Sequence, residues 1–337
     1  MDWYSHFQKI FFDTWQRAGL PHHQDFIKEY IDTREHGDFK NNGFRNTPAI
    51  SASVDGNQLH SVYGFGVTTG KIFAELLGLS AALTQETSDW CGRFNLGISL
   101  FDYISDEMDG TDSVTSLKAF QPFTKTASSD IHLLTPAEEL LNTIAGSVLN
   151  DLRNAAANKE VHHRAGTLFK AMKQMFEAEN FISKAELSAA ADLRKIKKAL
   201  YLKSAEPFRV MAEYTACMAD ANDPILKKNA RTAGKALGYC YWLIDDAKDV
   251  WIDLKTGRWN LFLALAAADK PSIFEKTNQV TESELMNIWQ QSGHPEKVSG
   301  RIIKRLVNAI RKPEIPEATE HYTMGLVSAS LWQWYNY

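Results

Sequence analysis

The chain has 337 residues, a formal net charge of −4 and 44% hydrophobic residues, which is the composition of a globular protein with a sizeable core. The mixed charges lack the basic patch of a nucleic-acid-binding protein, no apolar stretch is long enough to span a membrane, and the amino terminus lacks a signal peptide's apolar core. Three scattered cysteines favour a reducing compartment over a disulfide framework. We expect a cytoplasmic protein.

Helical periodicity dominates the sequence. A stripe of apolar residues at steps of three or four runs from Trp90 to Ile104, and Gly110 follows as a stop. Further helices are predicted at about 69–84, 136–157, 163–180, 193–219, 224–253 and 318–334. Polar loops are predicted at 36–60, 110–134 and 269–282, and residues 51–66 are interpreted as a short irregular segment. Long helices without strands or a clean linker predict one all-α domain spanning 1–337.

An acidic cluster, "DYISDEMD", ends the apolar stripe. Asp102, Asp106 and Asp109 lie at i, i+4 and i+7, which places them on one face of a helix, with Glu107 beside them. A solvated helix end explains such a cluster when it occurs alone. This chain has a second one.

The second cluster, "DDAKDVWID", places Asp245, Asp249 and Asp253 at i, i+4 and i+8, with Asp246 alongside. Each pair of like charges at this spacing destabilises an isolated helix by about 0.2–0.5 kcal/mol. Water and salt compensate if both clusters are exposed, and a shared divalent cation does so if they face each other. Mg²⁺ suits the second case, because it takes oxygen ligands from carboxylates and substrate phosphates together.

The two clusters resemble the paired metal motifs of class I isoprenoid synthases. "DYISDE" is similar to the first motif, D-D-x-x-D, with Tyr103 where a second Asp is usual. "DDAKDVWID" is similar both to the D-D-x-x-D of prenyl-chain synthases and to the i, i+4, i+8 ligand spacing of terpene cyclases. The following "LKTGRWN" is similar to the Lys/Arg-Gly-x-x-Asn tail that often follows the second motif.

This resemblance implies a helical bundle around a central cavity and a Mg²⁺-dependent enzyme that ionises a prenyl diphosphate. Farnesyl or geranylgeranyl diphosphate is the implied substrate, several Mg²⁺ ions bind together with its diphosphate, and a homodimer is one possible assembly. The implied metal ligands are Asp102, Asp106, Asp245, Asp249 and Asp253.

Basic residues near the second cluster are candidates for gripping the diphosphate. Lys203, followed by a serine, resembles the Lys-Thr of prenyl synthases, although a surface lysine in a basic run is the alternative. Arg258 and Lys255 lie just beyond the second cluster, where solvated charge is the alternative. We expect Lys203 and Arg258 to act in catalysis and all three to bind substrate.

Aromatic side chains beside the clusters are candidates for stabilising a carbocation through their π faces. Phe101 and Tyr241 are predicted to bind substrate in this way, with membership of the core as the alternative. Glu177 and Glu179, in "MFEAENF", are similar to a polar spot on a central helix of prenyl synthases.

Departures from the family separate three hypotheses. Chain-elongating enzymes hold a second diphosphate with a Gly-Gly-Lys segment and an Arg-Arg pair. Of these residues, this sequence offers only Lys71. Their absence favours a terpene cyclase. The D-D-x-x-D spelling and Lys203 favour a prenyltransferase, acting either in chain elongation or on an unrelated acceptor. The third hypothesis is a non-catalytic homologue. It stays open because Tyr103 stands where the first motif usually has a second Asp.

Overall fold

The structure, a computed structural model, describes residues 2–35, 56–107, 146, 162–219, 223–275, 280–312 and 314–336. These residues form twelve α-helices and two 3₁₀ turns, and no strand occurs among them. The prediction of an all-α fold is confirmed for this part of the chain. No helix in the described ranges is long and apolar enough to cross a membrane.

The helices are numbered here in chain order. They are α1 (Trp3–Arg17), α2 (Ile27–Glu35), α3 (Gly56–Leu76), α4 (Ala81–Glu107), α5 (His162–Ile182), α6 (Leu193–Ser204), α7 (Glu206–Ala219), α8 (Pro224–Thr256), α9 (Leu261–Asp269), α10 (Glu282–Ser292), α11 (His294–Ile310) and α12 (Glu317–Asn336). The 3₁₀ turns are His23–Phe26 and Pro271–Phe274.

Two of the predicted helices are wrong because each contains a break. The helix predicted at 69–84 is split between α3 and α4 by Gly78, whose φ of 65° is left-handed. The amides of Gly78 and Leu79 bond to the carbonyls of Glu75 and Ala74, which is the Schellman arrangement that ends helices. The helix predicted at 193–219 is broken at Ala205, because Pro207 has no amide hydrogen to continue the ladder.

Other predictions of secondary structure fare differently. The helices predicted at 163–180, 224–253 and 318–334 are confirmed. The apolar stripe from Trp90 is helical as predicted, but it lies inside α4, which begins earlier, at Ala81. The stop predicted at Gly110 lies outside the described residues. The interpretation of 51–66 as irregular is wrong from Gly56 onward, where α3 begins, and so is the end of the loop at 36–60. The helix predicted at 136–157 and the loop at 110–134 lie outside the described residues, apart from a single helical position at 146.

The chain divides into two compact units. The first comprises Met1–Ile27, Gln174–Arg209 and Thr232–Tyr337, and the second comprises Lys28–Lys173 and Val210–Arg231. The prediction that 1–337 is one domain stays a prediction.

The first unit is organised around aromatic side chains of α1. Trp3 lies edge-on to Phe262 of α9, with ring centroids 5.1 Å apart, and 4.3 Å from Trp289 of α10. Its indole nitrogen donates to the backbone carbonyl of Ala247, 3.0 Å away. Because all three rings are at most 2% exposed, this contact fixes α8 to the core next to the second acidic cluster.

The second unit contains a close pair of helices, α3 and α4. A Cβ atom added to Gly66 would lie 2.5 Å from the carbonyl oxygen of Cys91, so only glycine permits this approach. Trp90 of α4 stacks on Tyr214 of α7 with centroids 3.8 Å apart. This packing fixes the helix on which the first acidic cluster begins.

Candidate active site

The second acidic cluster lies on one uninterrupted helix. Because α8 runs from Pro224 to Thr256, Asp245, Asp249 and Asp253 follow one another at single-turn intervals along one face. All three are partly exposed. We call these three residues the acidic row.

The first residue of the acidic row is held by an aromatic side chain from the carboxyl-terminal helix. The indole nitrogen of Trp334 donates to Asp245 Oδ1 at 3.3 Å. Tyr4 of α1 is also affected by the charges of the row. Burial raises the pKa of its phenol most, followed by the negative charges of Asp249 and Asp245. The start of the row is therefore flanked by helices from both ends of the chain.

The last residue of the acidic row is bound by Asn260, whose side-chain nitrogen donates to Asp253 Oδ2 at 3.0 Å. Burial, followed by the charge of Asp249, raises the pKa of Asp253 to about 6. The hydrogen bond from Asn260 and the positive charges of Lys203 and Arg258 act in the opposite direction. Both basic side chains thus lie within electrostatic reach of Asp253.

Asp246 differs from its neighbours in the row. Its carboxylate is buried and accepts hydrogen bonds from the indole of Trp242, at 2.7 Å, and from the amide of Leu261. Burial raises its pKa well above the usual range. This side chain joins α8 to the start of α9 and is directed away from the acidic row.

The turn after α8 is built by the glycine and asparagine of the sequence tail. Gly257 adopts a left-handed φ of 73°, and the amide of Arg258 bonds back to the carbonyl of Asp253 at 2.8 Å. Asn260 then caps α9, because its Oδ1 accepts from the amide of Leu263 at 3.0 Å. Lys255, in the last turn of α8, and Arg258, in the turn that follows, are both exposed.

Lys203 lies in the last turn of α6 and is paired with a residue of α5. Its ammonium nitrogen is 3.2 Å from Glu179 Oε1. The Glu179 side chain is 8% exposed, compared with 28% for Lys203. The sequence shows Glu179 as a polar spot, but it lies 24 positions before Lys203, too far for a local sequence pattern to indicate this pair.

Tyr241 is part of a packed aromatic group. It is 3% exposed, its ring stacks on Phe208 with centroids 4.8 Å apart, and its hydroxyl donates to the side chain of Ser330. These contacts are those of a core residue. A role in substrate binding stays a prediction.

The first acidic cluster is described only as backbone. Asp102 and Asp106 belong to the last turns of α4, but the side chains of 101–107, including Phe101, lie outside the described residues, as does Asp109. Among the side chains that the structure does describe, no three His, Cys, Asp or Glu residues converge as metal ligands. The members of the acidic row do not converge in this way, since successive members are a full helical turn apart.

The comparisons with known proteins give no family. No protein-family model matches the chain, and no curated protein is significantly similar to it.

Proposed function

We propose that this protein is a Mg²⁺-dependent class I terpene synthase that ionises a single prenyl diphosphate, either farnesyl or geranylgeranyl diphosphate. One observation carries the proposal. Asp253, the last residue of the acidic row on α8, lies within electrostatic reach of two cationic side chains, Lys203 and Arg258. Anionic and cationic groups that act on one another in this way suit a ligand that brings both metal ions and phosphate groups.

The acidic row suits Mg²⁺ by its chemistry. Its carboxylate oxygens are the hard ligands that this ion prefers, and Mg²⁺ usually completes its shell with water and substrate phosphates. Asp245, Asp249 and Asp253 would hold it from α8. When bound, Mg²⁺ polarises the diphosphate and neutralises part of its charge.

We expect the cationic side chains to hold the leaving group. When the carbon–oxygen bond breaks, its electron pair goes to the diphosphate oxygen and leaves an allylic carbocation on the prenyl chain. Lys203 and Arg258 stabilise the charge that develops on that oxygen. The cation then closes onto a double bond of the same chain and loses a proton, so that no second substrate is needed.

Two observations favour this reaction over prenyl transfer. Asp246, the second residue of the D-D-x-x-D spelling, is occupied by hydrogen bonds to Trp242 and Leu261, which leaves the cyclase spacing of the acidic row. Lys71, the remnant of the second-substrate segment, is 3.0 Å from Glu29 Oε1 and 3.1 Å from Thr33 Oγ1. The Arg-Arg pair that accompanies this lysine in chain-elongating enzymes has no counterpart after Asp109, so a second diphosphate pocket is poorly supported.

The test is incubation of the purified protein with Mg²⁺ and geranyl, farnesyl or geranylgeranyl diphosphate, each supplied alone. We expect one of them to give extractable hydrocarbons or alcohols together with an equal amount of diphosphate. The variant Asp249→Asn serves as the inactive control. No turnover at any chain length contradicts the proposal, and consumption that requires isopentenyl diphosphate or another acceptor identifies a prenyltransferase instead.

A further inference from the structure

The ion pair between Lys203 and Glu179 lies at the edge of the proposed diphosphate site. Their charged atoms are 3.2 Å apart, and the carboxylate is the more deeply buried partner. The charge of Lys203 also acts on Asp253. The ammonium is thus paired with a buried carboxylate of α5 and acts electrostatically on the end of the acidic row.

A diphosphate that approaches Lys203 meets an unfavourable balance of charge. The positive charge it would bind is already compensated by Glu179, and the acidic row adds further negative charge that repels the incoming anion. Because the Glu179 side chain is enclosed by its surroundings, its carboxylate has little freedom to move away. Only cations bound with the diphosphate reverse this balance.

We propose that Glu179 is an internal counter-ion that competes with diphosphate for Lys203 and thereby makes tight diphosphate binding depend on Mg²⁺. The inference rests on the proposed function, since it concerns the same site. It assigns Glu179 a positioning role that acts through Lys203, without contact to the reacting atoms. It also explains how the product diphosphate leaves: once the metal ions dissociate, Glu179 recovers the ammonium.

The experiment measures binding of inorganic diphosphate by titration calorimetry, with and without Mg²⁺. Without Mg²⁺, we expect Glu179→Gln to bind diphosphate about tenfold more tightly than the unaltered protein, because one competing charge is removed. Glu177→Gln is the matched control, since it removes the same charge from an exposed position of the same helix. It should change the affinity less than about twofold.

A second variant tests whether the effect acts through Lys203. In a Lys203→Met background, Glu179→Gln should give no gain in affinity. Overturning results are no gain in Glu179→Gln, an equal gain in Glu177→Gln, or a gain that persists without Lys203. If Glu179→Gln does not fold, Glu179→Asp draws the carboxylate back from the ammonium and should give a smaller gain, whose absence also overturns the inference.

The outcome is separable from that of the proposed function. A protein that turns over no prenyl diphosphate but shows the Glu179-dependent change retains this inference and loses the proposed reaction. A protein that is active but shows no such change loses this inference alone.

Discussion

Two sides of α8 give neighbouring carboxylates opposite environments. On one side, Asp246 is buried and hydrogen-bonded to the start of α9. On the other, Asp245 and Asp249 are partly exposed along the acidic row. The acids have the same chemistry and lie within four residues of one another, so the packing of the surrounding helices decides which carboxylates build the fold and which remain accessible to a ligand.

The largest expected effect is that of Asp249→Ala, which removes the central member of the acidic row. We expect turnover of the prenyl diphosphate to fall by about a thousandfold, because a ligand for Mg²⁺ is lost. The melting temperature without Mg²⁺ should be unchanged or slightly higher, since repulsion within the row decreases. Steady-state kinetics and thermal unfolding measure the two effects. A variant that unfolds would place Asp249 with Asp246 as a structural residue.

Lys203→Ala tests the cationic partner of the row. A charge-assisted contact that strengthens as the bond breaks contributes about 2–4 kcal/mol, so kcat should fall about 30- to 1,000-fold, with a smaller change in KM. Lys203→Arg should keep part of the activity, because the charge survives while its geometry changes. Lys198→Ala, at an exposed position of the same helix, is the control. Equal small effects at both lysines would make Lys203 a surface charge.

Asp246→Ala should act on stability. Its loss leaves the buried donors of Trp242 and Leu261 without this acceptor, and each such donor costs about 1–3 kcal/mol. We therefore expect the free energy of unfolding in urea to fall by about 2–4 kcal/mol. Asp246→Asn, which keeps an acceptor oxygen and similar volume, should lose less. Undiminished stability in the alanine variant would remove the distinction between the two sides of α8.

The smallest expected effect is that of Gly257→Ala in the turn after the row. An added Cβ meets no atom within 4 Å there, so the cost comes from the left-handed φ of 73° alone and should be about 1–2 kcal/mol of stability. Gly300→Ala is the matched control, because an added Cβ at this position inside α11 also meets no neighbour. It should stabilise the protein by about 0.5–1 kcal/mol. Urea unfolding of both variants measures the difference.

The extent to which sequence predicted this structure depends on the range of the interactions involved. The periodicity of 224–253 correctly predicted α8, and with it the common face of the acidic row. The breaks at Gly78 and Ala205 were missed, although a glycine and a proline mark both in the sequence. They were missed because apolar periodicity continues across each break, whereas backbone chemistry ends the helix.

The candidate site can be predicted from the sequence only where its residues are local. Short sequence motifs contain the spacing of the acidic row and indicate Lys203 as a candidate. Trp334 and Glu179 were not predicted as partners, because the indole lies 89 residues from Asp245 and the carboxylate 24 residues from Lys203. Such contacts depend on tertiary packing, which leaves no periodic signal in one sequence.

Asn260 gives the site a reporter that needs no substrate. Its side-chain nitrogen holds Asp253, while its oxygen accepts from the amide of Leu263 in the first turn of α9. A cation that draws Asp253 toward itself also pulls on this asparagine, and the amide hydrogen of Leu263 then exchanges with solvent at a different rate. We therefore expect hydrogen–deuterium exchange at the amide of Leu263 in α9 to change when a cation binds to the acidic row on α8.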